Sequence, residues 1–130
     1  MGLVWQSPVT GRISSPAGFR YSPITGAREF HDGVDVAVPT GTEVIAPKDG
    51  HVISIRYSTS FGRTLRLEHA DGYQTFFAHL SHVPLEVGDI VLQGERIAYS
   101  GNTGWSTAPH LHFSIFRHGQ FIDPLDYVEF

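Results

Sequence analysis

The sequence contains no cysteine and only one lysine, Lys48, among its 130 residues. The lack of cysteine excludes disulfides and thiolate metal sites. Nine basic residues stand against 13 acidic ones, which gives a formal net charge of -4, and the arginines are scattered along the chain. No basic stripe results, so nucleic acid is not an expected partner.

Long hydrophobic runs are also missing, which excludes a membrane span in this chain. The first residues, MGLVWQSPVTG, lack the charged region, apolar region and cleavage site of a secretory signal. If the protein works outside the cytoplasm, we expect its export signal to lie outside this chain or to have been removed. The length predicts a single domain over residues 1–130, large enough to bury a real core.

Helical periodicity is likewise absent, because glycine and proline interrupt the chain every few residues. The sequence therefore predicts an all-β fold, an antiparallel β-sandwich or open barrel of short strands, with a hairpin turn at Asp71-Gly72. Residues 1–30, rich in proline, serine and glycine, are expected to form an irregular segment that covers the β core. The strands are predicted at Val34–Val38, Glu43–Ala46, His51–Tyr57, Arg63–Glu68, Tyr73–Phe77, Arg96–Ser100 and His112–Phe116.

Histidine, by contrast, is abundant, with eight copies. In His110-Leu111-His112, which begins a predicted strand, the two imidazoles point to the same face, and their Cα atoms are about 6.6 Å apart. Leu111 then faces the core with Phe113 and Ile115. An isolated pair of this kind is more often a surface feature than a metal or catalytic site, so its meaning depends on the rest of the chain.

A second cluster is His31 and Asp35 in FHDGVDVAVP. On a straight strand their Cα atoms would be about 13 Å apart, too far to share one ion. If both bind a metal, the chain must bend between them, and Gly33 tolerates such a bend. Alone, the two residues are more often a loop histidine and a turn aspartate.

A third histidine, His79, follows the aromatic strand end in FFAHLS. Together with one of His110 or His112, the pair His31 and Asp35 would make the two-histidine, one-carboxylate set of a catalytic zinc site with an open position. The same set is typical of a non-haem iron site. The remaining histidines would be free for proton transfer or oxyanion stabilisation.

Three blocks of the sequence resemble, in order, those of the lysostaphin-type (LytM-like) zinc peptidases, which cleave peptide bonds in bacterial peptidoglycan. They are GFRYSPITGAREFHDGVDVAVPTGTEVIAPKDGHV, HADGYQTFFAHLS and VGDIVLQGERIAYSGNTGWSTAPHLHF. The resemblance runs from about Ser14 to Asp123. It implies a peptidase domain related to the biotinyl and lipoyl barrel-sandwich fold.

The resemblance also implies the roles of the histidines. It implies one zinc ion per chain, bound by His31, Asp35 and His112, with His79 and His110 as catalytic residues. His110 would be the general base and His79 would stabilise the oxyanion, although the two roles could be exchanged or shared. The implied activity is hydrolysis of peptidoglycan crosslinks or stem peptides by an extracellular or periplasmic enzyme of the cell wall, expected to be a monomer.

Substrate contacts are expected from the loop that precedes the HxH pair, because loops beside an active strand carry specificity. In that loop we expect Asn102, Trp105, Ser106 and Thr107 to wall the substrate groove. Arg20 matches a family position before the first block, so it is a candidate for contact with the substrate or with a metal ligand.

Two other functions compete with a peptidase. A non-catalytic member of the same family would bind or activate a cell-wall hydrolase, but such members generally lose a metal ligand, and none is lost here. A biotinyl- or lipoyl-like carrier domain would need a modified lysine on an exposed hairpin. Lys48 precedes the Asp49-Gly50 turn without the carrier motif.

Overall fold

The structure, a computed structural model, describes residues 5–130. Within them the chain forms twelve β-strands and two short 3-10 turns, at Ala70–Gly72 and Pro124–Asp126. The strands are β1 (Arg12–Ser15), β2 (Gly18–Tyr21), β3 (Arg28–His31), β4 (Val34–Ala37), β5 (Glu43–Ile45), β6 (Gly50–Ser58), β7 (Gly62–Glu68), β8 (Tyr73–His82), β9 (Ile90–Val91), β10 (Arg96–Ser100), β11 (Leu111–Arg117) and β12 (Gln120–Ile122).

All strand pairs are antiparallel, and ten strands form one open sheet. Its main path runs β1-β4-β11-β8-β7-β6-β9, β12 flanks β11, and β10 joins β8 to β5. Strands β2 and β3 form a separate two-stranded hairpin. The predicted all-β, open antiparallel architecture is confirmed. Over the described part of the chain, no helix is long and apolar enough to span a membrane.

The core lies on one face of the central strands. Val34 and Val36 of β4 are fully buried, as are Leu111, Phe113 and Ile115 of β11. Full burial of each such side chain contributes about 1.5–3 kcal/mol. Because side chains alternate along a strand, the intervening residues of β4 and β11 face the opposite side of the sheet. That opposite face carries the candidate site.

The seven strands predicted from the sequence are all present. Six have ends within one residue of the prediction, and the strand that begins at Tyr73 continues five residues further, to His82. The hairpin at Asp71-Gly72 is confirmed, since both residues have positive φ, 62° and 79°, and join β7 to β8. The sequence did not reveal β1, β2, β3, β9 or β12, which are two to four residues long.

The segment 1–30 is not irregular as expected, because it contains β1, β2 and most of β3. Its proline, serine and glycine content obscured these strands, whose pairing depends on contacts that composition does not show. Strand β1 pairs with β4 of the large sheet. Trp5 and Val9 of this segment pack into the core. The first four residues of the segment lie outside the described part.

Candidate metal centre and active site

Three side chains that are distant in sequence meet on the face of the sheet opposite the core. Asp35 of β4 and His112 of β11 are direct cross-strand partners, and His31 ends β3. His31 Nε2 and His112 Nδ1 lie 3.2 and 3.1 Å from Asp35 Oδ1, and the two nitrogens are 3.2 Å apart. All three residues are buried. The structure thus brings together three of the residues selected from the sequence.

The chain bends between His31 and Asp35, as a shared site requires. His31 belongs to the two-stranded hairpin and Asp35 to the large sheet, with the bend at Asp32-Gly33. A Cβ atom on Gly33 would lie 2.6 Å from the His112 ring. Glycine is therefore needed at this position because the imidazole of His112 approaches the backbone so closely.

The outer nitrogens of both rings have hydrogen-bond partners that determine the tautomers. His31 Nδ1 donates to the Pro16 carbonyl at 3.0 Å. Ser114 Oγ donates to the Asp32 carbonyl at 2.6 Å, so it accepts from His112 Nε2, which lies 3.0 Å away. With these N–H groups engaged, His31 Nε2 and His112 Nδ1 present lone pairs to the carboxylate.

Three electron-pair donors therefore face one another without a hydrogen between them. Burial acts to raise the pKa of Asp35, but its contacts with His112 and His31 hold that pKa well below its ordinary value. Burial also lowers the pKa of His112, so protonation of this ring does not readily remove the repulsion between the three lone pairs. Tetrahedral zinc, bound at about 2.0–2.1 Å, separates its ligand atoms by about 3.3–3.4 Å, close to the spacing seen here. The three residues fit a zinc ion.

Arg20 holds the other oxygen of the same carboxylate. Its Nη1 lies 3.2 Å from Asp35 Oδ2 and 2.9 Å from Ser15 Oγ, while its Nε lies 2.8 Å from Glu29 Oε2. Arg20 therefore leaves Oδ1 alone to face the two imidazoles. Because Arg20 lies on β2, this contact also ties the hairpin to the large sheet.

Two further histidines lie beside this group and are oriented in the same way. His79 Nδ1 donates to the Thr103 carbonyl at 2.6 Å, and His110 Nδ1 donates to the Ala108 carbonyl at 2.8 Å. Their ring centroids are 4.7 Å apart. His110 Nε2 lies 3.6 Å from Asp35 Oδ1. Each ring thus keeps Nε2 free to accept a proton.

The position of His79 depends on an irregularity in β8. Phe77 and Leu80 both face the core although they are three residues apart. His79, with a φ of 60°, adopts the left-handed conformation that interrupts the alternation and turns its ring to the site. Burial lowers its pKa to about 4, so the ring is neutral near pH 7. The FFAHLS pattern predicted His79 just after a strand, whereas the residue lies within β8.

The site opens into a cleft of about 640 Å³ between the β2–β3 hairpin and the loop 101–109. Aromatic rings stand on both sides, since Tyr21 is 75% exposed and Trp105 58% exposed. Four of the five residues predicted to contact substrate line this cleft. They are Arg20, Trp105, Ser106 and Thr107.

The fifth, Asn102, is exposed to solvent and is not among the residues that line the cleft. Its neighbours are held by the sheet. Gly101 forms a β-bridge with His110, and the Thr103 hydroxyl donates to the Leu80 carbonyl at 2.8 Å. Contact of Asn102 with a substrate stays a prediction.

Thr103 and Ser114 are two site residues that the sequence analysis missed. Thr103 orients His79 through its carbonyl, and its hydroxyl accepts from the Arg63 amide at 3.1 Å. Ser114 orients His112. Strand alternation could have identified Ser114, which lies two residues after His112, but no sequence signal indicates the backbone contact of Thr103.

Most of the chain matches the sequence model of a known protein family. The model of Peptidase family M23 matches residues 29–124, which include all three members of the His-Asp-His group and both neighbouring histidines.

Two relatives indicate the kind of protein in which such chains occur. The chain is 47% identical over 116 residues to an uncharacterized metalloprotease of Haemophilus influenzae, covering 88% of this chain and 24% of the relative. It is 37% identical over 106 residues to the peptidoglycan DD-endopeptidase ShyB of Vibrio cholerae, covering 82% and 25%. The chain thus spans about a quarter of the length of these relatives.

Two solved structures have the same fold. A zinc-containing peptidase from Vibrio cholerae matches with a TM-score of 0.81 and 36% identity, over 90% of this chain and 37% of that one. The catalytic domain of lysostaphin from Staphylococcus simulans matches with a TM-score of 0.81 and 33% identity, over 90% and 91% of the two chains.

Proposed function

This chain belongs to peptidase family M23, and on that premise we propose that it is a zinc-dependent endopeptidase acting on bacterial peptidoglycan. The observation that carries the proposal is the buried group of three electron-pair donors, whose atoms lie 3.1–3.2 Å apart at the base of an open cleft. The named activity of the ShyB relative supports the substrate class. The bonds at issue are those of crosslinks or stem peptides.

We assign His31, Asp35 and His112 as the zinc ligands, one ion per chain. Zinc held there would supply Lewis acidity to the scissile carbonyl and make water more acidic. Arg20 orients the carboxylate, while the Pro16 carbonyl orients the ring of His31.

Proton transfer falls to the two remaining histidines. His110 Nε2 lies 3.6 Å from Asp35 Oδ1, closer to this carboxylate than either nitrogen of His79. His110 therefore takes the proton of the attacking water and returns it to the leaving amine. His79 is neutral near pH 7 with Nδ1–H engaged, so its Nε2 can donate to an oxyanion only after it has received a proton. Because His110 passes the proton of the attacking water to the amine, oxyanion stabilisation by His79 requires a second proton, taken up from solvent through the open cleft.

The proposed place of action is the cell wall, either outside the cell or in the periplasm, because peptidoglycan lies there. All five assigned metal and catalytic residues belong to one chain. This supports a monomer as the functional unit.

The competing functions are less consistent with the structure. Lys48 lies over the ring of Trp5, 5.2 Å from its centroid, and is half-buried, which is unlike the freely presented lysine of a carrier domain. A non-catalytic binding role would not need two histidines with free Nε2 atoms beside the metal ligands. Only an activity measurement separates that role from catalysis.

The test is digestion of purified peptidoglycan with the zinc-loaded protein, followed by mass spectrometry of the muropeptides. We expect products that differ from the substrate by hydrolysis of a peptide bond, and cleavage slower by about 100-fold or more in His110→Ala at the same zinc content. Intact muropeptides after digestion with a folded, zinc-loaded wild type would reject the proposal.

A further inference from the structure

The two arginines that line the cleft differ in their contacts with acidic groups. They are Arg12 and Arg20. Arg20 is engaged through Nε and Nη1 by Asp35, Glu29 and Ser15. Within residues 5–130, Arg12 has neither an acidic partner nor an aromatic ring beneath it, and it is exposed.

Among the cations of residues 5–130, this lack of a partner is unusual. Seven of the nine basic side chains contact a carboxylate, an aromatic ring or both, namely Arg20, Lys48, Arg28, Arg63, Arg66, Arg96 and Arg117. The other two are Arg12 and Arg56, and Arg56 does not line the cleft. Of the two described guanidinium groups that line the cleft, Arg12 is thus the one with no carboxylate or aromatic partner.

Strand register aligns Arg12 with His110 across the sheet. Arg12 of β1 pairs with Ala37 of β4. Because Val36 pairs with Leu111 in the antiparallel pair of β4 and β11, Ala37 in turn lies opposite His110. Two strand spacings separate Arg12 from His110, about 10 Å between Cα atoms. Ala37 lines the cleft between Arg12 and His110, and its side chain there is only a methyl group.

The cleft also carries carboxylates. Besides Asp35 it is lined by Glu29 and Asp32. Glu29 and Asp35 both contact Arg20. An anionic substrate group is therefore favoured beside Arg12, where the guanidinium has no carboxylate partner among the described residues.

We propose that Arg12 is a specificity-determining residue that binds a free carboxylate of the peptide substrate. An extended peptide advances about 3.3–3.6 Å per residue, so the carboxylate would lie within about three residues of the scissile bond. Arginine suits this role because its planar guanidinium can donate two parallel hydrogen bonds to a carboxylate. The inference rests on the proposed function and adds to it the charge of the substrate.

The test uses one crosslinked muropeptide dimer in two forms, with free stem-peptide carboxylates and with those carboxylates converted to carboxamides. Hydrolysis rates are compared for wild type, Arg12→Gln, Arg12→Lys and the matched control Arg56→Gln, all zinc-loaded. We expect wild type and Arg56→Gln to prefer the carboxylate form by about fivefold in kcat/KM. In Arg12→Gln this ratio should fall toward one, and Arg12→Lys should restore part of it.

The outcomes separate the inference from the proposed function. Wild type that cleaves both forms equally, or Arg12→Gln that keeps the wild-type ratio, would overturn the role of Arg12 while leaving the peptidase intact. An equal fall of the ratio in Arg56→Gln would show a general charge effect and would also overturn it. Wild type that cleaves neither form would reject the proposed function, and the inference with it.

Discussion

At the scale of single residues, the chemistry of the site depends on which nitrogen of each histidine is free. His31 and His112 turn opposite ring atoms, Nε2 and Nδ1, toward Asp35, because different outer partners engage the other nitrogen. His79 and His110 instead both engage Nδ1 with backbone carbonyls. These hydrogen bonds support the proposed division of the four histidines into two metal ligands and two proton acceptors.

This division predicts an asymmetry within the HxH pair. His112→Ala, like His31→Ala and Asp35→Ala, should lower zinc occupancy, because each removes one of three protein ligands. His110→Ala and His79→Ala should keep near-stoichiometric zinc but lose cleavage by about 100-fold or more. Zinc content and muropeptide cleavage are to be measured on the same five variants. Equal zinc loss in His110→Ala and His112→Ala would contradict the assignment.

Arg20 contacts Asp35, a proposed zinc ligand, so we expect its removal to weaken zinc binding without abolishing it. Loss of a partner that orients a metal ligand typically costs about 10- to 100-fold in affinity. We expect Arg20→Ala to raise the zinc Kd by about that factor, measured by competition with a chelator. Arg20→Lys should recover little, because one ammonium cannot contact Asp35, Ser15 and Glu29 together. Unchanged Kd in Arg20→Ala would show that Arg20 has no part in positioning the carboxylate.

At the scale of elements, the cleft is formed by two segments that contribute little to the core. The β2–β3 hairpin supplies His31 and Arg20, and the loop 101–109 supplies one wall and the carbonyls that orient the two proposed catalytic histidines. The large sheet supplies the other two proposed metal ligands. Specificity can therefore change in the loop while the fold of the sheet is retained.

Trp105 tests this separation, because it is 58% exposed at the wall of the cleft. Trp105→Gly should alter the preference among muropeptides with different crosslinks. It should change the free energy of unfolding little, since the side chain buries little surface. Product profiles from mixed muropeptides and a denaturant titration measure the two effects. An unaltered profile, or a loss of stability larger than the change in preference, would count against the role of Trp105.

At the scale of the whole molecule, stability should depend on pH through histidines buried in neutral form. His69 is a clear case away from the ligands. Its Nδ1 donates to the Asp49 carbonyl and its Nε2 accepts from the Thr75 hydroxyl, both at 2.8 Å. Burial lowers its pKa below the ordinary value of 6.5, and its two hydrogen bonds give it a structural role as a neutral ring.

The sign of the effect follows from proton uptake. Below about pH 6.5 the unfolded chain protonates His69 and the folded chain does not, so the free energy of unfolding falls as the pH falls toward the folded-state pKa. His69→Gln should be less stable than wild type near pH 8, and the difference should shrink toward pH 5. Denaturant titrations across this range provide the measurement, with exposed His51→Gln as the control. A pH-independent difference would contradict a neutral buried His69.

The sequence by itself determined the fold class and seven of the strands. Alternating apolar residues and the Asp71-Gly72 turn are local patterns, and local patterns indicate strands and hairpins directly. Spacing alone left His110 and His112 as alternative metal ligands, and the choice of His112 came from the resemblance to the lysostaphin-type peptidases. Four of the five expected substrate residues also lie in the cleft. The short strands of residues 12–31 had no such local pattern and were not predicted.

Only the tertiary structure decided which atoms face one another. His31 comes from one sheet and His112 from another strand 81 positions away, so their 3.2 Å separation depends on how the hairpin packs against the large sheet. The left-handed turn at His79, the contact of Arg20 with Asp35 and the unpaired state of Arg12 likewise depend on neighbours distant in sequence. Composition and periodicity report on a residue and its near neighbours, whereas a site is a property of side chains that meet only after the chain has folded.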